Sequence, residues 1–225
     1  MTKLLLKRRV IELRRSGKSY GEIKDLVSVS KSSLSLWLRN IPLTSDQVGR
    51  IKSKKGQAVE KFRETMKLKR QKRLQDYYKE QSKIYLPMTE RELYYAGLFL
   101  YWGEGNKASR NTVSISNTDP DVLKFSLLWM VRCLKIPKYV IKVALHLYQD
   151  MNIESELSYW SKELGIPRRC FNKPYIKKTL RTSIDQKGFG HGTCNLIVQN
   201  TVIKEKLLML IRSIADYYSQ KAIKI

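Results

Sequence analysis

Histidine is nearly absent from this chain. There are two in 225 residues, His146 and His191, beside three cysteines, Cys133, Cys170 and Cys194. The cysteines are odd in number and lack metal-ligand spacing, so a zinc site is disfavoured and they read as reduced, buried residues of a cytoplasmic protein. Long apolar runs are missing too. Nothing approaches the roughly 18–20 residues that span a bilayer, and Leu4-Leu5-Leu6 is too short for the core of a secretory signal. Acids are scarce: 20 Asp and Glu stand against 44 Lys and Arg, a net charge of +24.

That excess is spread along the chain, about +7 over residues 1–40, +8 over 41–87 and +9 over 88–225. A single basic tail is therefore excluded, and every part of the chain can face a polyanion. Nucleic acid is the leading partner, with an anionic membrane surface as the competitor. The expected location is the cytoplasm, associated with the nucleoid. A hydrophobic content of 42% is ordinary for a globular protein with a real core.

Residues 3–41 read as three short helices. Leu6, Val10 and Leu13 share one face of the first, which Gly17 ends. Ser19-Tyr20-Gly21-Glu22 is a capping box for the second, whose Ile23 and Leu26 are expected to point inward. Ser30 caps the third, where Leu34, Trp37, Leu38 and Ile41 form a stripe, and Pro42 stops it. The third helix sends Lys31, Ser32, Ser33, Ser35 and Arg39 outward. Two capped helices across a tight turn resemble the helix-turn-helix domains of resolvases and small transcription factors. The alternative is a three-helix cap with no ligand.

From Gly56 to Pro87 no helix breaker occurs and basic residues dominate. One long helix is expected, with Val59, Phe62 and Met66 as a thin apolar stripe. It is either a spacer between two DNA-binding units or a solvated helix that only packs on the neighbouring domain.

After residue 88 helices and strands alternate. Thr89-Glu90-Arg91-Glu92 is a capping box that opens an apolar helix. That helix runs through Tyr94-Tyr95-Ala96-Gly97-Leu98-Phe99-Leu100-Tyr101-Trp102 and ends on Glu104 between Gly103 and Gly105. Strands are expected at 113–116, 140–148, 170–176 and 194–199, and helices from Thr118-Asp119-Pro120 to about 134, from 152 to 164 and from 202 to 218. The order is α-β-α-β-α-β-β-α, with a glycine-rich loop at Gly188-Phe189-Gly190-His191-Gly192. An α+β class follows for the whole chain.

A carboxylate at a helix C-terminus meets the negative end of the helix dipole. Glu104 is therefore either exposed to solvent, or neutralised by a cation such as a metal or Lys107. Alternation in 140–148 puts Lys142, His146 and Tyr148 on one face and Ile141, Val143, Leu145 and Leu147 on the other. Thr193, Asn195 and Gln199 share a face with Ile197. Asn and Gln suit adenine, and Lys suits guanine. Arg168, Arg169, Lys173, Lys177, Lys178 and Arg181 crowd the segment between. His146 and His191 read as structural or phosphate-contacting, without the partner pattern of an HNH or nucleophilic site.

Ala96-Gly97-Leu98-Phe99 and Gly103-Glu104-Gly105, followed by strands and helices in this order, resemble the LAGLIDADG homing endonuclease family over roughly residues 90–218. Leu100-Tyr101-Trp102 makes the spacing about two residues longer than the family's, and the mid-motif Asp is absent. With the readings of the earlier residues, the resemblance gives a three-part chain: a helix-turn-helix at 1–42, a basic helical linker at 43–87 and a LAGLIDADG-like domain at 88–225. It implies a β saddle on duplex DNA and two apolar helices packed through Ala96 and Gly97. Glu104 would then be the catalytic, Mg²⁺-binding acid. With no internal repeat of the apolar helix, a two-acid site needs a homodimer. Lys107 and the strand and loop residues named above, Lys178 aside, join Lys31, Ser32, Ser33, Ser35 and Arg39 as DNA contacts. The alternative on the same scaffold is a non-cleaving, sequence-specific regulator.

Overall fold

The computed structural model describes residues 3–51, 54–180 and 190–222. The chain divides into two compact units, Met1–Leu86 and Pro87–Ile225, and combines helices with one four-stranded sheet.

The first unit begins with α1 (Lys3–Arg15), α2 (Tyr20–Leu26) and α3 (Lys31–Leu38). Their ends follow from local chemistry. Gly17 takes a φ of +92° after α1, a conformation glycine adopts without a side-chain penalty. Ser19 Oγ accepts from the Glu22 amide while Glu22 accepts from the Ser19 amide, and Ser30 Oγ accepts from the Ser33 amide at 3.1 Å. Val10, Leu13, Ile23, Leu34 and Leu38 are buried together, each such side chain contributing roughly 1.5–3 kcal/mol. Leu26 departs from its expected inward position and is 59% exposed. The helix stops there, the chain turns extended at Val27, and Val27 and Val29 pack on the core instead.

A short helix unforeseen in the sequence, α4 (Ser45–Gly49), is opened by a second capping box between Thr44 and Gln47. The long helix α5 spans Lys54–Tyr85, on the order of 48 Å at 1.5 Å per residue. Its beginning is anchored to the three-helix core. Glu60, buried, receives both terminal nitrogens of the equally buried Arg14 at 3.1 and 2.7 Å. Arg63 pairs with Glu60 and lies over the Tyr20 ring. From Lys61 onward nearly every α5 residue is exposed within this unit.

The second unit runs α6 (Glu90–Glu104), β1 (Thr112–Asn117), α7 (Pro120–Arg132), β2 (Lys142–Tyr148), α8 (Ile153–Leu164), β3 (Tyr175–Lys177), β4 (Thr193–Gln199) and α9 (Thr201–Ala222). The sheet order is β1-β4-β2-β3. β4 is antiparallel to both neighbours, and β3 is parallel to β2. Cys170–Ile176 is not one continuous strand. A 3-10 turn occupies Arg168–Cys170 and β3 starts only after Pro174, which has no amide to give a ladder.

Strand alternation buries Val113 and Ile115 of β1, Val143, Leu145 and Leu147 of β2, and Cys194, Leu196 and Val198 of β4. Leu98, Tyr101, Leu123, Trp129, Met130, Trp160, Leu207 and Ile211 of the helices complete this core. Gly97 is also buried here. A Cβ on it would lie 2.0 Å from Trp129 of the same chain. This corrects the expectation of a pairing surface at Gly97: its missing side chain makes room for an indole, whose Nε1 donates to the Tyr94 carbonyl on α6.

Candidate nucleic-acid interface

The sheet face opposite the core carries a different set. Backbone register sets Ser116 beside Asn195 and Asn195 beside Ala144. Ser114 lies beside Ile197, and Ile197 beside Lys142. Thr193, His146 and Tyr175 form a third row, and Tyr148 pairs with Lys177. Lys142, His146, Tyr148, Lys177, Asn195 and Gln199 are thus brought to one face. The Lys177 ammonium sits 4.8 Å from the centre of the Tyr148 ring, and His146 meets Tyr175 edge to face at 5.4 Å. Tyr175, 62% exposed, joins this face although the sequence reading named only the basic residues of its segment. Asn195 Oδ1 is buried and has no hydrogen-bond partner among the described residues.

The tip of α6 is stitched to this sheet. Gly105 bridges to Ile115 of β1, and the Asn106 amide donates to the Ser114 carbonyl at 3.0 Å. Gly105 is required by packing, since a Cβ there would stand 2.4 Å from the Tyr101 carbonyl oxygen. Glu104 is exposed, and no ion pair among the described residues reaches it. Lys107 does not neutralise it. Its ammonium donates to the Trp102 and Gly103 carbonyls at 2.9 and 3.4 Å, capping the negative end of α6.

Beneath the tip lies Lys204 of α9, fully buried. Its Nζ donates to Tyr101 Oη at 2.6 Å and to the Asn106 carbonyl, which the Tyr101 hydroxyl also reaches at 2.8 Å. Burial pulls the Lys204 ammonium below its ordinary value, helped by the charge of Lys107. Burial also pushes the Tyr101 phenol up to about 12.

On α3, Lys31, Ser32, Ser35 and Arg39 are exposed, whereas Ser33 is half-buried in the Ser30 cap. Leu36 stands among them, 56% exposed on the turn shared by Ser32, Ser35 and Arg39. Sequence reasoning missed it because only polar and basic residues were sought on the outward face. An exposed apolar side chain on such a face suits a thymine methyl.

The remaining expected contacts scatter. Arg168 is held by Glu154 of α8 at 2.5 Å. Arg169 and Lys173 are exposed, and Arg181 lies outside the described residues. His191 has a partner that the sequence conceals. Its Nδ1 is 2.8 Å from Glu156 Oε2, and its ring stacks on Tyr159 at 3.5 Å. Ala96 is half-buried on α6, one position from Gly97. Phe99, half exposed, stacks on Trp102, and Gly103 has open space where a side chain would be.

Among the described residues no group of three or more His, Cys, Asp or Glu could hold a metal ion, and no helix is long and apolar enough to cross a membrane. No protein-family model matches the chain, and neither a curated protein nor a solved structure matches it.

Proposed function

We propose that this chain binds duplex DNA site-specifically and hydrolyses its phosphodiesters with Mg²⁺, in the manner of LAGLIDADG-type endonucleases. One observation carries the reading. A half-buried sheet face with amide, hydroxyl, aromatic and cationic side chains, exposed at Lys142, Tyr175 and Gln199, is tied by backbone pairing to a helix tip presenting one exposed carboxylate. Lys142, Asn195 and Gln199 supply groups that read base edges, and Arg169 and Lys173 supply phosphate contacts. In the first unit Lys31, Ser32, Ser35 and Arg39, with Leu36 between them, would form the groove-facing side of a helix-turn-helix.

A single carboxylate fits Mg²⁺ only in company, since that ion is commonly held by one or two carboxylates plus phosphate oxygens. Glu104 would hold it together with the DNA phosphate and Glu104 of a second copy, and Mg²⁺ so held polarises the phosphate and acidifies water. Pairing of two copies would use the uncovered side of α6, along Ala96, Phe99 and Gly103, rather than Gly97. Light scattering should then show a dimer, at least on DNA.

The non-cleaving regulator has its own support: among the described residues Glu104 belongs to no group of three or more His, Cys, Asp or Glu that could hold a metal ion. The deciding experiment incubates a library of duplex targets with Mg²⁺ and either wild type or Glu104→Gln. Cleavage by wild type alone supports the endonuclease. Binding without cleavage by either protein supports the regulator, and equal cleavage by both removes Glu104 from the chemistry.

A further inference from the structure

The long helix α5 was expected to be a spacer or a solvated helix, and its two halves differ. Lys61–Arg73 holds seven basic residues and one acid, Glu64. Leu74–Tyr85 holds two of each. Of the seven, Arg63 is engaged by Glu60 and Tyr20. The other six, Lys61, Lys67, Lys69, Arg70, Lys72 and Arg73, are exposed and have no ion pair among the described residues.

Their arrangement is three-sided. At 3.6 residues per turn, positions 62, 66, 69 and 73 fall on one stripe: Phe62, Met66, Lys69 and Arg73. Lys61 and Lys72 flank it on one side, and Lys67 and Arg70 on the other. The opposite stripe, 64, 68, 71 and 75, is Glu64, Leu68, Gln71 and Gln75 and carries no cation. A helix lying along a single phosphate strand needs charge on one side only. Cations on both flanks of a stripe, with the only acid turned away, suit a helix seated between two phosphate walls.

We propose that the Lys61–Arg73 half of α5 is a third DNA-binding element, seated in the major groove of duplex DNA. This rests on the DNA-binding reading above. The B-form major groove is about 12 Å wide and admits an α-helix. The segment is roughly 18 Å long, enough to pass about five base pairs at 3.4 Å each. The A-form major groove of duplex RNA is too deep and narrow for such a helix. An anionic membrane surface is a poorer partner, because an interfacial helix needs a broad apolar face and here only Phe62 and Met66 share the stripe.

The test compares full-length wild type with K69Q/R70Q/K72Q/R73Q and with K79Q/K83Q, in binding to one duplex DNA at a series of salt concentrations. Glutamine keeps helix propensity close to that of Lys and Arg, and far-UV circular dichroism checks that the helix persists. Each lost phosphate contact lowers the slope of log K against log salt by about 0.9. The quadruple variant should lose a slope of roughly 3–4, and K79Q/K83Q should lose none. Equal losses in the two variants would mean generic charge and overturn the proposal, as would a quadruple variant with the wild-type slope. In either case the DNA-binding reading itself survives. Wild type that binds no duplex DNA overturns both. An equal loss on duplex RNA, or on vesicles of phosphatidylcholine and phosphatidylserine, overturns the assignment to DNA.

Discussion

Among the described residues each unit of this basic protein buries one cation, and the two are treated differently. In the first unit Arg14 meets a carboxylate. Its guanidinium donates to both Glu60 oxygens, to the Ile41 carbonyl at 3.0 Å and to the Lys18 carbonyl at 3.2 Å. In the second unit Lys204 meets, among the described residues, a phenol and a backbone carbonyl. The planar fork of arginine can be satisfied bidentately and keeps its charge. The ammonium of lysine loses hydration with no anion in exchange, so its charge is penalised. The first arrangement fastens α5 to α1. The second holds the Asn106 carbonyl, two residues from Glu104, with a cation that gives up its proton more readily than usual.

Removing the anion from the first pair should have the largest effect. Glu60→Ala strands a buried guanidinium, and about 3–5 kcal/mol should be lost. Hydrogen exchange should show it at the amides of Val10, Ile23 and Leu34, with those of Val143 and Leu196 unchanged. Exchange that rises equally in both sets would mean that Arg14 is not a local fastening.

Packing in the second unit gives the next effect. Gly97→Ala forces a methyl group into Trp129, and overpacking of this kind costs about 1–3 kcal/mol. Gly103→Ala, with open space around it on the last turn of α6, should leave stability unchanged or raise it by up to about 1 kcal/mol in urea denaturation. If Gly97→Ala is equally silent, the close approach to Trp129 is not a constraint.

Lys204→Met probes the other buried cation. Tyr101 still donates to Asn106 in its absence, so no polar group is orphaned. Stability should be unchanged or higher by about 1 kcal/mol, because a buried charge is replaced by an apolar chain of similar length. A loss like that of Glu60→Ala would show that Lys204 is as well paired as Arg14.

The last effect is confined to alkaline pH. With Lys204 below 10.5 in the folded state, the unfolded chain binds more protons just under that pH, and this group makes stability rise with pH there. Tyr101 acts oppositely. The folded state keeps its proton up to about 12, against 10.0 unfolded, so its contribution is full below 10 and lost as pH climbs toward 12. In urea midpoints measured from pH 8 to 12, Lys204→Met should remove the rise and Tyr101→Phe the fall. Profiles parallel to wild type would contradict the burial of both groups.

Much of the local structure was legible in the sequence. The capping boxes at Ser19 and Thr89 form as read, as do the Asp119-Pro120 start of α7 and the Gly165 end of α8, because each needs only neighbours within a turn. The alternation of β2 and β4 sorted their core and open faces correctly, since side chains on a strand alternate whatever surrounds them. Glu104 at the end of α6 could be read because the helix stop at Gly105 is a local signal. Tertiary structure alone decided the rest. Leu26 lies outward while Val27 and Val29 pack on the core, and the space at Gly97 is occupied by an indole 32 residues away. Arg14 found Glu60 across 46 residues, His191 found Glu156 across 35, and Lys204 found Tyr101 across 103. Periodicity and capping are set by bonds between near neighbours, whereas the partner of a buried charge is whichever group the packed core brings beside it.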